Sequence, residues 1–448
     1  MKKSVLRRLG AVLPPLMFCF ALTFFGVLYG MAASEMRWFP YYTLVSAQQL
    51  PNALFPFHRP FFWEFRVSDK PATITVQKPE QMQAGLTKVV ELAGDLSLAI
   101  RVIDSAGKMH QQWMVEWSRI WPETPTPLQD APDLPRSRPG THIHGAQIVP
   151  NGDLVFNFEH LALVRLNPCG ETVWKLPIRS HHAVFVDDDQ NIWVPAQRNH
   201  TEPLPKLPFL EPTIIEPMIL KLSPQGDLLE ERSVFDLLMA NQLQGLLYST
   251  SARNFTPVVT ADILHLNDVD VFPAGMASGF FQPGDVMISL RNVNSVLVFD
   301  REWRLKYQWA NEFVRQHDPD FIDGNTLRLF DNNNVAPIDS GVSSRILERD
   351  VRSGTTRTVF AGSEQTPFFT NIMGKFQSLE NGNLLISESI HGRAFELSPQ
   401  QELVWEYNNL VEPGWIGIME EAERLPPALD SAFFERARAR CENPAVKQ

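Results

Sequence analysis

NGDLVFNFEHLALVRLNPCGETVWKL (151–176) is the stretch that decides the fold. It opens on an Asn-Gly turn and enters a strand of alternating character. A second strand follows in LVRL, the chain turns at the polar NPCGE, and a third strand carries Trp174. Period-two alternation between turn signals marks strands with one buried face.

Working outward, the same unit recurs. Turn-and-strand starts stand at GDLSLA (94–99), QNIWVP (190–195), GDVMIS (284–289), GNTLRL (324–329) and NGNLLI (381–386). The matching hairpins are 100–113, 219–232, 296–309, 345–360 and 394–407. Six such units at spacings of roughly 40 to 60 residues predict an all-β chain folded as a six-bladed β-propeller. A β-helix would repeat on a shorter and stricter period. Trp174, Trp309 and Trp405 recur at one phase and read as packing residues between blades.

The propeller is expected over 81–410. Two insertions interrupt it: a Pro-rich loop (201–217) and an amphipathic stretch, VFDLLMANQLQGLLYST (234–250), expected to form a helix capping one mouth. The tail (411–448) reads as helical, broken at Pro426 and Pro427. DNNNVAPIDSG (331–341) reads as a flexible connection, and Asp187-Asp188-Asp189 as a solvated turn.

At the other end, 1–10 carries Lys2, Lys3, Arg7 and Arg8, and 11–33 holds no charge. That length exceeds the roughly 20 residues a transmembrane helix needs. With the positive charges ahead of it, the expectation is a single-pass inner-membrane protein with its start in the cytoplasm and its catalytic domain in the periplasm. A cleaved signal peptide is the competing reading. An aromatic, Pro-rich segment, including MRWFPYYTLV and FPFHRPFFWEF, connects the two parts over 34–80. Cys169 and Cys441 allow at most one disulfide in the exported part, and their pairing is open.

The net charge of −11 argues against a nucleic-acid partner, which needs a basic surface. Function is written in the histidines. His144, His182 and His317 each fall seven or eight residues before a turn-and-strand start, and His265 precedes another at longer range. Residues at one phase of a closed repeat converge on its axis. His182, His265, Asn267, His317 and Arg291, with His144 and His142 in the equivalent place one blade earlier, therefore form a candidate cluster.

That set suits an oxyanion such as a sulfate ester. Arg supplies fork-like donors for sulfuryl oxygens. A neutral imidazole can attack sulfur while a second protonates the departing phenol oxygen. Asn offers an uncharged donor. Arg291 is expected to lower the His317 pKa and keep that ring nucleophilic. No cofactor is expected. Convergent imidazoles could instead hold a metal, although a nearby Arg repels one, and a non-catalytic binding propeller is the third reading.

At SHHAVFVDDDQNIWV, HLNDVDVF with GDVMISLRNVNSVLVFD, RQHDPDFIDGNTLRLFDNN and KFQSLENGNLLISES the chain resembles the PAPS-independent bacterial arylsulfate sulfotransferases, over about 180–407. The resemblance implies a ping-pong transfer of a sulfuryl group from an aryl sulfate to a phenol. His317 would be the nucleophile, and His182 and His265 would share the catalytic work. Asn267 and Arg291, with His265, would hold sulfate oxygens; His144, from its place in the repeat and not from the resemblance, is expected to bind substrate. The family's HHD motif ends here in Ala183, its amino-terminal β-sandwich is not visible, and the hydroxyl expected before the last blade has only Thr370 nearby.

Overall fold

The computed structural model describes residues 2–35 and, apart from short stretches at 130–137, 250–258 and 337–339, residues 65–442. The chain divides into two compact units, Met1–Phe62 and Trp63–Gln448. Most of the aromatic segment expected over 34–80 lies outside the described residues.

The first unit contains one helix, Lys2–Glu35, with Pro14 and Pro15 inside it. The expected membrane anchor is overturned: no described helix is long and apolar enough to cross a membrane. The helix takes in the charged residues at 2–8 as well as the apolar run. With the anchor go the membrane partner and the single-pass periplasmic placement.

The second unit is all-β. Among the described residues six sheets follow one another along the chain, antiparallel except for a parallel edge strand, Val259–Ala261, in the third, with a seventh, three-stranded sheet beside the last. The 151–176 stretch forms three strands of the second sheet, Leu154–Phe158, Ala162–Leu166 and Thr172–Leu176. Ile143–Ile148 adds a fourth strand on the side of Leu154–Phe158. Each sheet likewise has a strand ahead of the turn that the repeat signals: Phe185–Val186, Leu266–Val271, His317–Asp323 and Lys375–Ser378.

The first sheet differs. Its corresponding strand is Met419–Arg424, from the far end of the chain, paired with Thr87–Leu92. The expected helix over 417–424 is therefore a strand, and only Ser431–Glu442 is helical. Buried Lys88 explains the preference: it pairs with Glu421 at 2.7 Å and Glu423 at 2.5 Å, which a helix would not hold on one face of the sheet. Cys169 and Cys441 do pair, tying that terminal helix to the second sheet.

Six apolar clusters link neighbouring sheets in cyclic order. One joins the first and second sheets, others continue through the third to the sixth, and the last packs Val89 and Met419 of the first sheet on Leu385 and Trp405 of the sixth. Of the recurring tryptophans, Trp174 and Trp405 knit the same joints through their indole N–H groups, as does Trp113, whereas Trp309 Nε1 is buried without a partner. Trp113 Nε1 donates to Asn167 O (2.9 Å), Trp174 Nε1 to Pro224 O (3.1 Å) and Trp405 Nε1 to Ser105 O (2.9 Å). Each bond reaches the next sheet's turn, and the last reaches back to the first. The arrangement is propeller-like.

Of the insertions, 234–250 supplies two short helices, Val234–Ala240 and Gln244–Tyr248. Part of the expected Pro-rich loop is extended, within the strand Leu210–Leu222. DNNN at 331–334 is not a loose connection, because Asp331 and Asn332 are fully buried.

Candidate active site

The histidines enter just ahead of, or at the start of, the strands on the inner side of each sheet. His144 is the second residue of Ile143–Ile148, His182 precedes Phe185–Val186, His265 precedes Leu266–Val271 and His317 opens His317–Asp323. His182, His265, Asp318 and Met373 all take left-handed backbone conformations (φ 57°, 54°, 50° and 54°). Non-glycine residues there are uncommon and cluster at functional sites. Gly145 permits the closest approach: a Cβ on it would lie 1.7 Å from the His182 carbonyl oxygen. Buried Asn157 then ties the corner together, donating to the carbonyls of His144 (3.3 Å), His182 (3.3 Å) and Ala183 (3.1 Å).

His144, His182, Asn267 and His317 line one narrow cavity, with Met373, Gly374 and Lys375. His265 stands behind His182, its Nε2 3.0 Å from His182 Nε2. Its other nitrogen binds Asp262 Oδ2. Arg291 does not line this cavity; its charge reaches His317 from alongside. Thr370 does not present its hydroxyl to the site, since Oγ1 donates to Ile372 O at 2.6 Å.

His317 is the best-defined group. Its Nδ1 lies 2.6 Å from Asn332 Oδ1 and 3.1 Å from Arg315 O. The Asn332 amide cannot be turned around, because its Nδ2 donates to the carbonyls of Thr370 (2.9 Å) and Met373 (2.7 Å). His317 must therefore carry hydrogen on Nδ1. Its Nε2 is buried without a partner and bears the lone pair. Burial first, and Arg291 second, push the ring's pKa well below its ordinary 6.5, against the opposing Asn332 bond. Arg291 acts in the expected direction, but burial is the larger cause.

Two further polar atoms are orphaned here. Asn267 donates Nδ2 to Gln316 O at 2.8 Å, which leaves its Oδ1 buried and unpaired. Arg291 Nε is also buried without a partner, and burial brings that guanidinium down to about 10. Buried unpaired polar groups are costly, so such a set marks a place built to meet a ligand.

Below the histidines a cavity of about 460 Å³ is lined by Asp268, Asp270, Asp318, Asp320, Glu421 and Glu423, with Lys88 and Lys375. Burial pushes Asp270 up to about 7. The four aspartates sit at alternate positions of NDVDV and HDPDF, and Glu421 and Glu423 at alternate positions of MEEAER, the period-two signal of an inward-facing strand, which sequence reasoning passed over. It also missed Asn332, read as part of a loop, and Asp262 and Glu159, which lie outside the repeat phase. A metal could be held by His144, Glu159 and His182, whose ligand atoms lie within 4.8 Å of one another.

With this geometry in hand, residues 145–410 match the arylsulfotransferase (ASST) family, and the chain belongs to that family. Membership supports an arylsulfotransferase-like function on small aryl compounds. No curated protein matches the sequence. Among solved structures, a protein of unknown function from Bacteroides caccae is similar with a TM-score of 0.45, 11% identity and coverage of 76% of this chain and 98% of that one. The Neurospora crassa Pan2 WD40 domain gives 0.39, 9%, 75% and 82%. A virginiamycin B lyase from Staphylococcus aureus gives 0.35, 11%, 65% and 87%.

Proposed function

We propose that the ring of sheets is a six-bladed β-propeller running from about 81 to the closing strand at Arg424, and that it transfers sulfuryl groups through a sulfohistidine. The observation that carries this is His317 Nε2: a buried, unpartnered lone pair on a ring whose tautomer Asn332 sets. That nitrogen attacks the sulfur of an aryl sulfate. The sulfur–oxygen bond to the aryl group breaks, and the phenol leaves. A phenolic acceptor then takes the group from His317. The unpaired Arg291 Nε–H and the second Asn267 amide hydrogen supply donors for the sulfuryl oxygens. No nucleotide sulfate donor takes part.

The experiment is incubation with the sulfate ester of a coloured phenol, with and without a phenolic acceptor, followed by intact mass spectrometry. A gain of one sulfuryl group, discharged by acceptor and absent from a His317→Ala protein that still folds, is the expected result. No adduct and no phenol release across several donors would overturn the proposal.

A further inference from the structure

His182, beside the nucleophile, has both ring nitrogens engaged. Nε2 meets His265 Nε2 at 3.0 Å, and Nδ1 meets His181 Nδ1 at 2.8 Å. Neither is open to exchange a proton with substrate.

His144 is differently placed. Its ring centre lies 4.0 Å from that of His182, and it lines the same cavity as His317. Its Nδ1 faces Glu159 Oε1 at 3.3 Å. An ionised carboxylate can only accept. His144 therefore keeps a hydrogen on Nδ1 and leaves Nε2 available to a ligand. A histidine oriented by a carboxylate on one nitrogen and open at the other is the arrangement of a general acid–base group.

We propose that His144 Nε2 exchanges the phenol proton and that Glu159 is its positioning carboxylate, taking the place of the acid absent at Ala183. This rests on the sulfohistidine reading. In the donor half-reaction the His317 Nε2 lone pair forms the nitrogen–sulfur bond. The sulfur–oxygen bond breaks, and the departing aryl oxygen takes the proton from His144 Nε2. In the acceptor half-reaction the phenol O–H proton goes to His144 Nε2 while the phenol oxygen's electron pair forms the new oxygen–sulfur bond. The nitrogen–sulfur bond breaks and its pair returns to His317. His144 ends as it began, its Nε2 proton returned by the acceptor phenol.

The test compares two donors in the full chain, 4-nitrophenyl sulfate and phenyl sulfate, in single turnovers of native protein, Glu159→Gln and Glu159→Asp. The nitrophenolate leaves readily without a proton, whereas phenolate does not. Glu159→Gln is expected to slow phenyl sulfate cleavage about 10²-fold, in line with lost general acid catalysis. The loss with the nitrophenyl ester should be at least tenfold smaller, and Glu159→Asp should recover part of the rate. Equal slowing with both donors, or no slowing with either, would overturn the inference while a His317 adduct still stood. Absence of that adduct in the native protein would overturn the sulfohistidine reading and the inference with it. A stoichiometric metal whose chelation abolishes turnover would also overturn it, because His144 and Glu159 would then be ligands.

Discussion

His265 Nε2 and His182 Nε2 lie 3.0 Å apart, so one of the two must carry the hydrogen between them. Asp262 decides which. Burial would raise its carboxyl, yet the His265 bond outweighs it and holds the group at about 2, ionised at neutral pH. Asp262 therefore accepts from His265 Nδ1, His265 Nε2 accepts from His182 Nε2–H, and His182 Nδ1 accepts from His181 Nδ1–H. All three rings are neutral in this chain, and burial pushes each below its ordinary pKa.

Asp262→Asn can present an N–H to His265 and reverse every tautomer along the chain. Nitrogen-15 NMR of the histidines should show the changed tautomers. Unaltered ring signals would defeat this account.

Asn332 offers a sharper separation of stability from chemistry. Asn332→Leu keeps the volume but strips the acceptor from His317 Nδ1, leaving Arg315 O as its remaining partner, orphans the Met373 carbonyl and leaves the Thr370 carbonyl with only Ser344 Oγ at 3.3 Å. Losing buried partners of this kind costs about 1–3 kcal/mol. The rate should fall further than that loss of folding explains, because His317 can then take the other tautomer. Urea unfolding and single-turnover phenol release on the same samples check it. A rate that merely tracked the folded fraction would remove Asn332 from the mechanism.

Acid acts on the same groups. His181, His182 and His317 protonate near 6.5 in the unfolded chain but only at lower pH when folded. Below about pH 6.5 the unfolded state binds more protons, so stability falls as pH drops toward the folded values. Asp262 and Glu159, depressed in the fold, add the same trend below about pH 4. With its pKa pushed well below 6.5, His317 is still neutral at that pH, so the nucleophile should impose no rate limb there.

Asp270 has the opposite sign. Pushed up to about 7, it contributes stability below about pH 4 that is lost as pH rises through 7. Asp270→Asn should therefore stabilise on the order of 1–3 kcal/mol at pH 8 and less at pH 5. Melting curves at both values decide it. An equal gain at the two would mean that Asp270 does not titrate as its burial requires.

The repeat was legible because turns and alternating strands are local, and three strands of each of the second to sixth sheets follow from them; in the first sheet GDLSLA (94–99) leads into Leu98–Ile103, and Thr87–Leu92 before it was not read. The strand ahead of each turn was harder. HDPDF and NDVDV carry acids where an alternating core strand would carry aliphatics, since they face a channel. Met419–Arg424 was hidden for another reason: MEEAER favours a helix locally, and the pairing that makes it a strand lies at Thr87–Leu92, at the other end of the domain. The phased histidines did converge. Their supports did not announce themselves, because Asp262, Glu159 and Asn332 come from corners whose meeting depends on the fold. The apolar start misled in the other direction, since composition over 11–33 outran what the described helix provides.

Cys441 supplies the last prediction. It sits in the helix Ser431–Glu442, bonded to Cys169 in a turn of the second sheet, 272 residues away. Phe434 of the same helix is fully buried in the cluster between the first and second sheets. The bond thus staples the chain just beyond the strand that completes the first sheet. Loop-closure entropy for so long a separation, less the residual structure of the unfolded chain, leaves about 2–5 kcal/mol. Cys441→Ser should lower unfolding stability by that amount while transfer per folded molecule is kept, because the supports of His317 lie in the fourth to sixth sheets. Denaturant unfolding beside active-site titration checks both halves. Unchanged stability would show that the Phe434 contacts alone hold the helix, and lost turnover in fully folded protein would show that the terminal staple reaches the site.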